Sequence, residues 1–146
     1  MAETKYGKYI LTEPKPYRGA PPTRADAPPN DMTVNIMYLD DEYLKGAFYT
    51  ECDWLVKGYP KNVWVQAHTH DFDEIIAFLG SNPNDPKNLY GEIEMWLEDE
   101  KFIITKSCLI FVPKGMKHCP LTIKRVDRPI FHLTSGPGKA WGAHYV

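Results

Sequence analysis

His68 and His70 stand two positions apart in the run VWVQAHTHDFDEIIAFLG, from Val63 to Gly80, and their spacing constrains the chain more than any other feature. On a β-strand, residues i and i+2 project from one face, so a strand here aims both imidazoles the same way. Glu74 comes too late for the same flat strand. The polar Asp71-Phe72-Asp73 supplies a bend, after which Glu74 shares its face with Ile76 and Phe78. A further imidazole, His118, could be brought in by the turn at Pro113-Lys114-Gly115. Three imidazoles and one carboxylate form a nitrogen and oxygen donor set suited to one divalent transition metal: iron, manganese, nickel, cobalt, copper or zinc.

The rest of the chain reads as β-structure. MTVNIMYLD alternates in part, GAFYTECDWLV is rich in aromatic and β-branched residues, and Gly58 to Asn62 turns the chain into the histidine strand. Leu39 to Leu44 is expected to form a helical turn with Asp40 or Asp41 as its cap. SNPNDPKNLYG, with two prolines and a closing glycine, reads as a loop. GEIEMWLEDE alternates cleanly, placing Ile93, Met95 and Leu97 inward and Glu92, Glu94 and Glu98 in solvent. FIITKSCLIFVP is expected to give one or two buried strands, followed by HCPLTIKRV and PIFHLTSGP. The tail GKAWGAHYV is too short to assign. Short strands punctuated by turns, with no long amphipathic helix, indicate an all-β antiparallel sandwich or barrel.

The totals narrow the function classes. At 146 residues the chain is most simply one domain able to bury a core. A formal net charge of -2 without a basic block argues against nucleic acid and membrane-surface partners. No apolar run approaches the ~20 residues of a membrane-spanning helix, and MAETKYGKYIL lacks a signal-peptide core, so a cytoplasmic location is expected. Three cysteines without CxxC spacing read as reduced thiols. Cys119 follows His118 and should face the opposite side of a strand, as a small buried apolar group. Residues 1–30 hold EPKPYRGAPPTRADAPPN and read as an extended Pro-rich N-terminal arm, with residues 31–146 as the barrel domain. Tyr6, Tyr9, Ile10, Leu11 and Tyr17 equip that arm to dock on the domain or on a partner subunit, with a mobile arm as the other reading.

His68-x-His70-x-x-x-Glu74 with Gly80, followed by Pro113-x-Gly115-x-x-His118, resembles the paired motifs of the cupin superfamily over roughly residues 45–136. Ser107 stands where a glycine usually opens the second motif, Thr122 where an asparagine often follows, and Gly80 arrives one residue early. The resemblance implies a cupin double-stranded β-helix, or jelly-roll barrel, holding one metal on His68, His70, Glu74 and His118. It also implies a homodimer.

Strand parity adds Trp64 and Gln66 to the inward face of the histidine strand, and Ile76 and Phe78 to that of the next. These four are the candidate substrate-lining residues of a mostly apolar cavity for a small molecule. His132 is ambiguous in parity, His144 is expected to be uninvolved, and Asp71 and Asp73 are expected on an exposed bend. The expected function is a metal-dependent enzyme acting on a small organic molecule, with dioxygenase or related oxidoreductase chemistry ahead of isomerase, decarboxylase or lyase chemistry. A non-catalytic small-ligand-binding cupin is the other reading.

Overall fold

Wherever apolar and polar residues alternate between turns the chain extends, and the computed structural model describes residues 4–16, 24–137 and 142–146. The strands are β1 (Thr33–Leu39), β2 (Tyr49–Leu55), β3 (His68–Thr69), β4 (Glu74–Gly80), β5 (Asn88–Leu97), β6 (Glu100–Lys106), β7 (Cys108–Val112), β8 (His118–Val126), β9 (Ile130–Gly136) and β10 (His144–Tyr145). They form two five-stranded sheets, ordered β1-β2-β9-β4-β7 and β10-β3-β8-β5-β6, with antiparallel pairing throughout. The helical content described is two single 3-10 turns, Gly7–Tyr9 and Asn30–Met32, and no described helix is long and apolar enough to cross a membrane.

The core lies between the sheets. Leu55, Ile76, Phe78 and Ile130 meet Leu89, Ile93, Met95, Leu121 and Ile123, all buried. β5 alternates as its sequence requires, with Ile93 and Met95 inward and Glu92 and Glu94 half-buried. Asp40 caps the expected helical turn: its carbonyl accepts from Tyr43 N and Leu44 N, both at 3.2 Å, and its Oδ1 from Glu42 N at 2.9 Å.

Two expectations change. β5 begins at Asn88, inside the segment read as loop, because Asn88 Oδ1 accepts from Tyr90 N at 2.8 Å and Tyr90, at φ 51°, absorbs a bulge in the ladder. FIITKSCLIFVP gives β6 and β7, but these are edge strands of different sheets and not buried ones. With a neighbour on one side alone, they leave Phe102, Ile103, Leu109 and Phe111 between 39% and 68% exposed. Apolar composition alone does not reveal which strand becomes an edge.

In the N-terminal segment Tyr6, Tyr9 and Ile10 are exposed, and Tyr17 lies outside the described residues. Contacts to the barrel come from farther along. Lys15 N donates to Tyr38 O at 3.0 Å, Tyr43 OH to Pro16 O at 2.9 Å, and Asn62 Nδ2 to Asp26 O at 3.0 Å. Arg24 donates to the Val63 and Trp64 carbonyls at the start of the histidine segment.

Candidate metal centre

Strand pairing brings the two histidine segments together. His68 of β3 is the register partner of His118 of β8, and their ring centroids lie 4.2 Å apart. His70 follows with its centroid 4.7 Å from His68 and 5.0 Å from His118. Glu74 opens β4 in the other sheet and closes on the imidazoles, its Oε1 3.4 Å from His118 Nε2 and its Oε2 3.4 Å from His70 Nε2. All four side chains are buried. Backbone bonds tie the two loops that carry them: Gly115 N donates to His70 O at 3.0 Å and Lys114 N to Asp73 Oδ1 at 2.8 Å. Gly115 has φ 83°, a left-handed turn that a residue with a Cβ adopts only with strain.

Each imidazole is oriented through its outer nitrogen. His68 Nδ1 donates to Gln66 O at 2.7 Å, His118 Nδ1 to Met116 O at 3.1 Å, and His70 Nδ1 to Gly142 O. A carbonyl only accepts, so each Nδ1 carries the hydrogen and each Nε2 turns its lone pair inward. His68 Nε2 and His70 Nε2 are 3.1 Å apart, and the three donor atoms lie within 4.8 Å of one another. His118 Nε2 is buried with no hydrogen-bond partner. Lone pairs converging in a buried site repel, and a cation among them relieves the cost. Adjacent nitrogens about 2.1 Å from a shared ion fall roughly 3 Å apart, so the observed spacing fits. The three-histidine cluster can hold one metal ion.

Charge agrees with geometry. Burial, reinforced by His118, lowers the pKa of His68 from 6.5 to about 4, and burial likewise lowers that of His70. Burial pushes the Glu74 carboxyl up, but the adjacent His118 and His70 rings and the Tyr49 hydroxyl outweigh it and hold the group below its ordinary value. Two neutral imidazoles and an ionised carboxylate are in the protonation state that binds a divalent ion. Tyr49, fully buried, donates its hydroxyl to Glu74 Oε2 at 3.1 Å and also bonds Thr134 Oγ1.

A cavity of about 390 Å³ adjoins the cluster, reached by His68, Glu74 and His118. Trp64 and Ile76 are part of its wall, whereas Gln66 and Phe78 are not. The strand reading for Gln66 assumed unbroken alternation from 64 to 70. Instead Val65 makes an isolated bridge to Leu121, residues 66 and 67 leave the strand, and Gln66 contributes its carbonyl to His68. Phe78 sits in the core, stacked on His132 at 4.7 Å. Cys119 is buried in the apolar core as expected, but it does not face the side opposite His118. Its φ of 68° breaks the alternation after His118, so both residues reach the cavity, and burial pushes the thiol pKa far up.

His132, ambiguous in sequence, lines the cavity as the register partner of Asp53. His144 pairs with exposed Asp71, its Nε2 3.0 Å from the carboxylate. Sequence reasoning missed Tyr49, Asp53 and Gly142. The alternation Tyr49, Glu51, Asp53 puts these three on one face of β2, but only the register with β9 shows that this face meets the histidines. Nothing in the tail foretold that the Gly142 carbonyl would orient His70.

No protein-family model matches the sequence, and no curated protein matches it. Among solved structures the chain is similar to an Fe(II) complex of HppE with the alternative substrate (S)-1-HPP, at 14% identity over 87% of this chain and 59% of that one, TM-score 0.53. It is similar to recombinant oxalate oxidase in complex with glycolate, at 11% identity over 80% of this chain and 56% of that one, TM-score 0.51. DMSP lyase DddQ from Ruegeria pomeroyi DSS-3 is 19% identical over 69% of this chain and 44% of its own length, TM-score 0.45. The chain thus spans between 44% and 59% of the length of these three proteins. At such identities the likeness is one of fold, and the fold of this chain is the cupin double-stranded β-helix.

Proposed function

We propose that the chain is a mononuclear metalloenzyme acting on a small organic molecule, with His68, His70, His118 and Glu74 as the ligands and oxygen-dependent chemistry as its reaction class. The observation that carries this reading is the buried, partnerless Nε2 of His118, converging with two other Nε2 atoms beside a cavity. When bound, a divalent ion supplies polarisation of a substrate oxygen and, as Fe(II), reaction with dioxygen. The chain's own groups do the rest. Three backbone carbonyls fix the imidazole planes, Tyr49 holds Glu74, and Trp64, Val65, Ile76 and Leu121 make a wall that excludes water around a bound substrate. The names of the two structures of like fold, an Fe(II) complex and an oxidase, support placing oxidation first.

Asp53 and His132 in the same cavity favour a second reading, proton-transfer chemistry of the isomerase, decarboxylase or lyase kind. Elemental analysis after anaerobic loading with Fe(II), Mn, Ni or Zn, followed by oxygen-uptake assays on a panel of phenols, carboxylates and carbonyl compounds, separates the two. Iron-dependent oxygen consumption lost in His118→Ala supports the first. Turnover by the Mn or Zn form without oxygen uptake supports the second. Intact protein that retains no ion after loading overturns both. The reading includes a homodimer paired through exposed sheet edges, which gel filtration checks.

A further inference from the structure

The inner face of the first sheet carries a ladder of side chains leading away from the metal centre. β2 and β9 pair Tyr49 with Gly136, Glu51 with Thr134 and Asp53 with His132, and β4 continues these rungs through Ile76 and Phe78. Asp53 is four residues from Tyr49, roughly 13 Å along the strand, yet Asp53 and His132 border the same cavity as His68 and His118. The cavity therefore has two unlike polar ends.

The far end carries two buried acceptors, Asp53 and His132, and Thr33, Asn35 and Glu51 also line the cavity. His132 is 5% exposed, and its Nδ1 donates to Ala77 O at 3.1 Å, so its Nε2 is left as an acceptor. The ring is locked by stacking on Phe78 and by an edge contact with Trp64 at 5.4 Å. Among the described residues its Nε2 has no hydrogen-bond partner. Asp53 is 4% exposed; its Oδ1 accepts from Asn35 Nδ2 at 2.9 Å, and no described cation forms an ion pair with it. Both groups face the cavity, so a ligand that displaces water from them must supply donors and a positive charge in its place. Between the two ends the wall is apolar, made by Trp64, Val65, Ile76 and Leu121.

We propose that the cavity binds a small organic ammonium compound, its N–H donors on Asp53 and His132 Nε2, its carbon chain along the apolar wall, and an oxygen donor directed at His68, His118 and Glu74. An ammonium group offers three donors and no acceptor, the complement of this surface. A hydroxyl brings no charge to offset Asp53. The metal-facing end rests on the proposed function; the ammonium-facing end rests on the cavity wall alone.

Calorimetric titration tests the assignment. On metal-loaded protein, unbranched ω-amino acids of three to six carbons are compared with the same carboxylic acids lacking the amine. The best amino acid is expected to bind at least tenfold tighter than its counterpart, and Asp53→Asn is expected to erase that preference while leaving metal content unchanged. Butylammonium against 1-butanol on chelator-treated protein probes the far end without a metal. If wild-type protein holds no ion, the metalloenzyme reading falls while this comparison still decides the ammonium site. The wild-type comparisons also suffice if Asp53→Asn does not fold. The proposal is overturned if no amine in either series is preferred, or if the preference survives in folded Asp53→Asn.

Discussion

Tyr49→Phe removes one oxygen from the interior and leaves the ring, including its edge contact with Phe72 at 5.8 Å, in place. That oxygen donates to Glu74 Oε2 and bonds Thr134 Oγ1, so the variant takes a donor from a buried carboxylate. A hydrogen bond to a charged group contributes about 1.5–3 kcal/mol, and for a chain of this size ~2 kcal/mol corresponds to roughly 6 °C in melting temperature. The chelator-treated variant should melt lower by about that amount. In the loaded protein the loss falls on a group that orients Glu74, a ligand of the proposed centre, and for such a group a 10- to 100-fold drop in metal affinity is usual, or about 1.4–2.7 kcal/mol. The Glu74 carboxyl should also titrate higher, so metal uptake by the variant should need a higher pH. Competition with a chromophoric chelator measures affinity, and thermal unfolding in excess chelator measures stability. An affinity within threefold of wild type, together with an unchanged melting temperature, would refute the role given to this hydroxyl.

Acid should weaken the chelator-treated protein through His68, whose pKa is lowered from 6.5 to about 4 in the fold. The folded state favours the neutral ring, so this stabilisation is complete above about pH 6.5 and declines as pH falls toward 4, by roughly 2 kcal/mol at about pH 5; urea unfolding across that range should show it. Saturation with a bound divalent ion at about 100 times its Kd should add ~2.7 kcal/mol, and His118→Ala should abolish this gain without preventing folding. In Gly136→Ala the new Cβ would lie 2.6 Å from the Asp73 carbonyl oxygen and 2.7 Å from Phe72 Cδ2, at the bend between His70 and Glu74. Such overpacking costs about 1–3 kcal/mol, and the displaced bend should lower metal affinity at least tenfold in the chelator competition assay.

The histidine segments were legible because their spacing has a geometric meaning that survives folding: i and i+2 on an extended chain, and a Pro/Gly turn ahead of His118. Parity failed where the backbone departed from a strand, at residues 66 and 67 and at left-handed Cys119, and neither departure leaves a mark in side-chain composition. Asp53 and His132 were out of reach for another reason. Each sits on a strand whose inward face could be narrowed by alternation, but their pairing is a property of register between segments almost eighty positions apart. The edge strands β6 and β7 show the same limit in reverse, since Phe102 and Leu109 look like core residues until the sheet order is known.

The bonds from Gly115 N to His70 O and from Lys114 N to Asp73 Oδ1 hold together, by protein contacts alone, the two loops that carry the proposed ligands. A cage assembled beforehand does not ask its guest to organise it, so different ions would meet nearly the same nitrogens. Selectivity would then follow the intrinsic ranking of the metals, in which copper outcompetes iron and manganese. Correct loading would depend on cellular supply, and protein produced in rich medium would carry whichever competitor was abundant.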